Sequence, residues 1–245
     1  MLLRRITEHV KAQNWFAVAL DFVIVVVGVL LAFQITSWSA ARGESAKFER
    51  QVQAVRLEML ENLERHEFIR NRIENQATAL AELRTVLADP LIDISDEELD
   101  ALLWQSILMI RVHTKRSALD TLLSSDLVIE YADKKLVDEI EDWEASFAFM
   151  NKEQDDALQF RNMIQHRHYA NNLSYASVFQ GAFDEEDYIA PPRFRDSRDK
   201  LSNDAVLENI LVGRQVTTKQ DLRNSAELVE RTRALIAVIE EREAR

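Results

Sequence analysis

The 245-residue chain contains no cysteine. That excludes disulfides, thiolate nucleophiles and cysteine-ligated zinc or iron–sulfur sites. Glycine and proline number only four and three, too few for the many turns of a β sandwich or barrel. The glycines stand at 28, 43, 181 and 213, so no phosphate-cradling loop or dinucleotide fingerprint can be built from them. No Gly-x-Ser-x-Gly elbow occurs. Basic residues fall short of acidic ones, 30 against 42, for a formal net charge of −12. A nucleic-acid partner would need a basic surface, and none is expected.

Histidine chemistry is also thin. His66-Glu67-Phe68-Ile69-Arg70 opens like a zincin helix but lacks the second histidine four residues on. No Glu-x-x-His pair occurs, which removes a di-iron helical bundle. His166 and His168 project about 200° apart on a helix, a poor geometry for one metal ion. The acidic run from Asp184 to Asp187 reads as a solvated turn. No catalytic residue, metal ligand or cofactor is expected, and the chain reads as non-enzymatic.

One long apolar run is present. From Trp15 to Trp38 the sequence is WFAVALDFVIVVVGVLLAFQITSW, with Asp21 its single charge. About 24 helical residues reach roughly 36 Å, enough for a hydrocarbon core of about 30 Å. Trp15 and Trp38 sit where aromatic belts form, as membrane-interface anchors. A soluble core helix is rarely apolar on every face, and no small-residue cleavage site follows a short hydrophobic stretch. Residues 15–38 are therefore expected to be a retained transmembrane helix in contact with lipid. Arg4, Arg5 and Lys11 precede it and Arg42, Lys47 and Arg50 follow it, so flanking charge hardly decides orientation. Residues 1–14 make a short tail that is expected to stay in the cytoplasm while the large remainder is exported. This gives a single-pass protein of the bacterial inner (cytoplasmic) membrane, its N-terminus cytoplasmic and its body periplasmic. Taking Arg4, Arg5 and Lys11 from the 30 basic residues and Glu8 and Asp21 from the 42 acidic ones leaves 27 against 40, net −13. Anionic lipid repels such a body, so the anchor rather than surface charge holds it at the membrane.

Asp21 lies six residues inside Trp15, roughly 9 Å along the axis. A carboxylate at that depth costs a few kcal/mol on insertion scales and normally faces protein or water. On a helical wheel it shares a face with Val25, Gly28, Ala32 and Ile35. Gly28 and Ala32 form a small-xxx-small pair that permits close helix approach. The simplest expectation is that this face meets a second transmembrane helix from another copy, making a homo-oligomer; another membrane protein is the alternative partner. A protonated Asp21, or one that reaches the headgroups through a thinned bilayer, is the plainer alternative. A proton relay is the sharper one.

No proline occurs before Pro90. Phe48, Val55, Ile69 and Leu83 occupy one position of a heptad, and Val52, Met59, Ile73, Leu80 and Leu87 the other; Asn62, His66 and Gln76 interrupt the seam. A stalk-like helix over residues 39–88, roughly 70 Å long, is predicted. It suits a helix packed within its own chain, which is slightly favoured, or an intermolecular coiled coil in which polar seam residues set register and oligomer number. Residues 89–245 are expected to form a helical body. Ser95 with Glu98 makes a capping box for a helix to about Val112. A short helix from Thr114 to Leu123, a long one from Asp133 past Arg167, a loop over 181–203 and a final helix from Asp204 to Glu243 follow. The fold class is all-α: one N-terminal transmembrane helix, then an elongated antiparallel helical bundle.

The run DFVIVVVGVLLAFQITSW, Asp21 to Trp38, resembles the signature of an uncharacterised bacterial membrane-protein family, domain of unknown function 6090. That signature has an acidic residue opening an apolar helix, a Gly, then Gln and Trp at its end, matched here by Asp21, Gly28, Gln34 and Trp38. Ser117 to Leu127 is similar to the family's short helix ending at a small-residue turn, and Lys135-Leu136 to the start of its next helix. The likeness covers roughly residues 15–165. The sequence departs at Asp126, where the family has Gly, and at Ser37 and Ser39, where it has Asn-rich residues. The resemblance implies a membrane protein with a helical soluble domain and brings no activity with it. The functional expectation is a self-associating or scaffolding membrane-anchored bundle. The alternative is a proton-coupled subunit that uses Asp21 with a separate multi-helix partner, laid out like the small energising subunits of the Ton, Tol and flagellar-motor systems. A bundle that senses a small ligand between its helices is a third reading.

Overall fold

A computed structural model describes residues 15–180 and 193–244, and among them the only regular structure is helical. The elements are α1 (Trp15–Ala88), α2 (Asp96–Ile107), α3 (Ser117–Leu123), α4 (Leu127–Tyr131), α5 (Lys134–Phe160), a π-helical turn (Arg161–Gln165), α6 (His166–Asn172), α7 (Tyr175–Gln180), α8 (Arg198–Ser202) and α9 (Ala205–Glu243). The all-α expectation holds.

Helix α1 is a single run of 74 residues, about 110 Å at 1.5 Å per residue. Residues 19–44 are exposed throughout. From Phe48 onward the helix joins the body, so it stands clear of other elements only over its first half. The predicted heptad seam is its buried stripe: Phe48, Val55, Met59, Leu80 and Leu83 are wholly buried. This stripe packs against α9 and its own chain's other helices. Ion pairs report the register: Glu49 with Arg242, Arg56 with Glu240, Glu67 with Arg233 and Arg84 with Glu208. Rising numbers on α1 meet falling numbers on α9, so the two helices are antiparallel. Lys135 with Glu241 and Asp142 with Arg231 set α5 antiparallel to α9 in the same way, and Trp143 Nε1 donates to Thr232 Oγ1 between the two helices. Those surface pairs are worth about 0–1 kcal/mol each. Cohesion comes from the apolar side chains, at roughly 1.5–3 kcal/mol per fully buried large residue.

The core divides into two clusters along this axis. One, on the side of the apolar run, joins Phe48 to Ile73 of α1 with Leu119, Leu136, Trp143, Met150 and α9 from Leu228 to Ile239. The other joins Leu80 to Val86 with Leu103, Tyr169, Val178 and α9 from Leu207 to Leu211. Between them the buried side chains are polar: Gln76, Gln154, Arg214, Thr218, Asn224 and Ser225.

Several boundaries differ from expectation. The capping box at Ser95 is formed, but α2 ends at Ile107 rather than near Val112. Leu108 turns extended at ψ 133°, because its carbonyl accepts from Gln76 Nε2 at 2.7 Å and Arg214 Nη2 at 2.8 Å. The next helix starts at Ser117, not Thr114. The long helix from Asp133 passes through the π turn before it ends at Asn172. The loop expected over 181–203 contains α8, capped by Ser197 Oγ accepting from Lys200 N; residues 181–192 lie outside the described residues, with the acidic run Asp184 to Asp187 among them. Asp204 caps the final helix by accepting from Val206 N and Leu207 N.

Candidate interaction site on the first helix

The apolar stretch of α1 is long and apolar enough to cross a membrane, and none of its most apolar window is buried against the chain. A buried core helix would show the reverse. Asp21, Val25, Gly28, Ala32 and Ile35 are all exposed, and the unbroken helix aligns them on one face. Phe48 follows Asp21 by 27 positions on that helix, seven and a half turns at about 3.6 residues each, which puts it roughly 180° around. The Asp21 face is thus opposite the buried seam and points away from the body. A Cβ added to Gly28 meets no atom within 4 Å. A glycine inside a helix costs about 0.5–1 kcal/mol relative to alanine, and among the described residues no contact requires it there.

The ends of the stretch are polar in an ordered way. Thr36 Oγ1 donates to the Ala32 carbonyl at 2.9 Å, which satisfies its hydroxyl without an outside partner. Trp38 is exposed, and the Arg42 guanidinium sits 4.0 Å from its ring centroid. A cation over an indole at the end of an apolar run matches a membrane–water boundary. The side chain of Trp15 and the tail 1–14 lie outside the described residues.

The polar residues of the α1 seam have another use, which the heptad alone did not reveal. Residues 108–116 form no regular element, and polar side chains of other helices serve backbone groups along them. Asn62 donates to Lys115 O at 2.8 Å and accepts from Lys115 N at 2.9 Å. His66 Nε2 bonds Thr114 Oγ1 at 2.9 Å. Gln76 Nε2 reaches Gln105 O and Leu108 O, both at 2.7 Å. Glu58 accepts from Ser117 Oγ, Ala118 N and Leu119 N at 2.8, 2.9 and 3.1 Å. This carboxylate caps α3 from another helix, since Arg116 at the N-cap makes no side-chain cap bond, and it places negative charge at the helix's positive end. Arg214 of α9, 3% exposed, adds bonds to Ser106 O at 3.2 Å and Leu108 O at 2.8 Å. Burial, reinforced by the Arg65 charge, pushes His66 down to about 4, so it is neutral at pH 7. Burial raises Asp221 to about 6 against the lowering effect of Arg214.

His168 Nε2 bonds Asp204 Oδ2 at 2.8 Å and its Nδ1 meets Asn172 Nδ2 at 3.1 Å, tying α6 to the start of α9. Among the described residues no group of three His, Cys, Asp or Glu is placed to hold a metal ion. No family model matches the chain, and neither a curated protein nor a solved structure matches it; the likeness of Asp21–Trp38 to a membrane-protein signature rests on those residues alone.

Proposed function

We propose that the chain is a non-enzymatic, single-pass membrane-anchored helical protein that self-associates through the α1 face of Asp21, Val25, Gly28, Ala32 and Ile35. In this reading residues 15–38 span the bacterial inner membrane, the N-terminus is cytoplasmic and the helical bundle body is periplasmic, where it serves as a scaffold or interaction module. The observation that carries it is the placement of this face opposite the buried seam of one continuous helix. The described body lies on the other side, so among the described residues none competes for the face, and a Cβ at Gly28 meets none of them within 4 Å. Copies inserted with one topology present these faces in parallel, and close contact at Gly28 and Ala32 removes Asp21 from lipid.

The test is the mass of the purified full-length chain in detergent and in nanodiscs. Wild type is expected to be oligomeric. Gly28→Leu is expected to weaken assembly at least about tenfold, or about 1.4 kcal/mol, and Asp21→Leu to weaken it as well. Asp21→Asn keeps a hydrogen-bonding side chain and largely spares assembly, whereas it abolishes any proton-coupled role. A strictly monomeric wild type overturns the proposal.

A further inference from the structure

The half of the body farther from the apolar run contains a cavity of about 310 Å³, within the range of about 300–1,000 Å³ that holds small molecules. Its walls are largely aromatic: Trp104 of α2, Tyr169 of α6, and Tyr175 and Phe179 of α7, joined by Met109 and Arg161. Trp104 and Phe179 lie 5.1 Å apart at 56°, and Tyr175 and Phe179 5.6 Å apart at 32°. Tilted rings of this kind offer both edges and faces to a planar apolar guest.

Among the described residues that line the cavity, Arg161 carries the only charge. Arg161 is the first residue of the π-helical turn, a type of turn often found at functional sites. Among the described residues its guanidinium bonds only the neighbouring Asn162 Oδ1, at 3.3 Å. Behind the wall stands a second guanidinium, Arg214, held by Ser106 O and Leu108 O and 3.5 Å from Met109 Sδ. Its burial lowers its pKa, and the charge of Arg161 acts in the same direction, so the two cations feel one another. Asp221 opposes Arg214 electrostatically, with Glu153 beside it. A protein of net charge −12 thus places one guanidinium, Arg161, in the wall of its aromatic cavity.

We propose that this cavity binds a small aromatic carboxylate, its ring among Trp104, Tyr175 and Phe179 and its carboxylate on Arg161. A planar guanidinium takes a carboxylate by two parallel hydrogen bonds, which fixes the orientation of the ring. The ligand comes from the aqueous phase. Gln76 bonds the carbonyls of Gln105 and Leu108 beside the cavity, and it lies 38 positions beyond Trp38 on α1, about 57 Å along the helix. No acyl chain of a bilayer at residues 15–38 reaches that far. The proposal stands whether or not the chain self-associates.

The experiment is 19F NMR of 5-fluoroindole-3-acetate with the full-length protein in nanodiscs, and of its uncharged amide as comparison. Wild type is expected to broaden the acid's signal saturably and to bind the amide at least about tenfold more weakly. Arg161→Gln is expected to weaken the acid by a similar factor and to abolish the preference over the amide. Phe179→Ala is expected to weaken acid and amide alike, with circular dichroism confirming that both variants are folded. Absence of saturable binding at millimolar acid overturns the proposal, as do equal binding of acid and amide by wild type and unchanged preference in Arg161→Gln. The acid-to-amide ratio of wild type decides the matter even where a variant fails to fold.

Discussion

Replacing Asn62 by leucine separates two uses of a polar residue in an apolar seam. In a coiled coil between chains, a buried asparagine sets register and oligomer number at a cost in stability, so leucine there stabilises the assembly and loosens its stoichiometry. In this fold Asn62 is wholly buried and exchanges two hydrogen bonds with the Lys115 backbone, at 2.8 and 2.9 Å. Leucine removes both and strands a backbone N–H and C=O in a partly buried position. Net hydrogen bonds are worth about 0.5–1.5 kcal/mol each, and an unsatisfied group costs about 1–3. The apolar transfer of leucine offsets part of this, leaving an expected loss of roughly 1–3 kcal/mol. Urea unfolding of the full-length chain in detergent measures it, with the wholly buried Trp143 as a fluorescent reporter of the body. The midpoint is expected to fall at unchanged slope, with oligomer mass unaltered. A variant that unfolds at equal or higher urea, or that changes its stoichiometry, refutes the reasoning.

Glu58→Ala leaves the first turn of α3 without its anionic cap and is expected to cost about 1–2 kcal/mol in the same titration; Glu58→Gln retains part of it. Two buried groups give opposite pH slopes. His66, at about 4 in the fold against an ordinary 6.5, contributes stability that is full above pH 6.5 and lost as pH falls toward 4, by roughly 3 kcal/mol at the limit. His66→Gln is therefore expected to flatten the acid limb of a stability–pH profile. Asp221, at about 6 against an ordinary 3.8, prefers its protonated form in the fold, so its unfavourable contribution grows as pH rises from 3.8 through 6. Asp221→Asn is expected to stabilise the chain by up to roughly 3 kcal/mol at pH 7.5 and to do little at pH 3.5. Thermal melts across that range check both signs.

The long helices were legible because their signals are local. The absence of proline before Pro90, the heptad from Phe48 to Leu87, the Ser95–Glu98 box and the start of the last helix at Asp204 are signals that act within a few turns. Leu87, a seam position of the heptad, is only partly buried, since it sits at the border of its stripe. The segment 108–116 was not legible. Its helical-looking apolar residues, Ile110 and Val112 among them, are buried, but its backbone is drawn out of a helix by side chains 32 or more positions distant, such as Gln76 and Arg214 at Leu108 and Gln154 Oε1 accepting from Val112 N. Asn62, His66 and Gln76 did announce themselves as interruptions of the seam. The heptad could not tell that their partners were the end of α2 and the irregular segment after it in the same chain, rather than another copy. The cavity at Trp104, Arg161 and Phe179 had no sequence signal, because its residues come from separate short elements and one π turn.

The chain's lack of cysteine makes self-association through the Asp21 face directly measurable. Single cysteines introduced as Gly28→Cys, Ala32→Cys and Leu30→Cys each provide the sole thiol of the protein, the first two on the Asp21 face and the third roughly 180° from Asp21. Oxidation in native membranes is expected to yield covalent dimers at positions 28 and 32 and few at 30. Equal cross-linking at all three positions, or none at 28 and 32, contradicts self-association through this face.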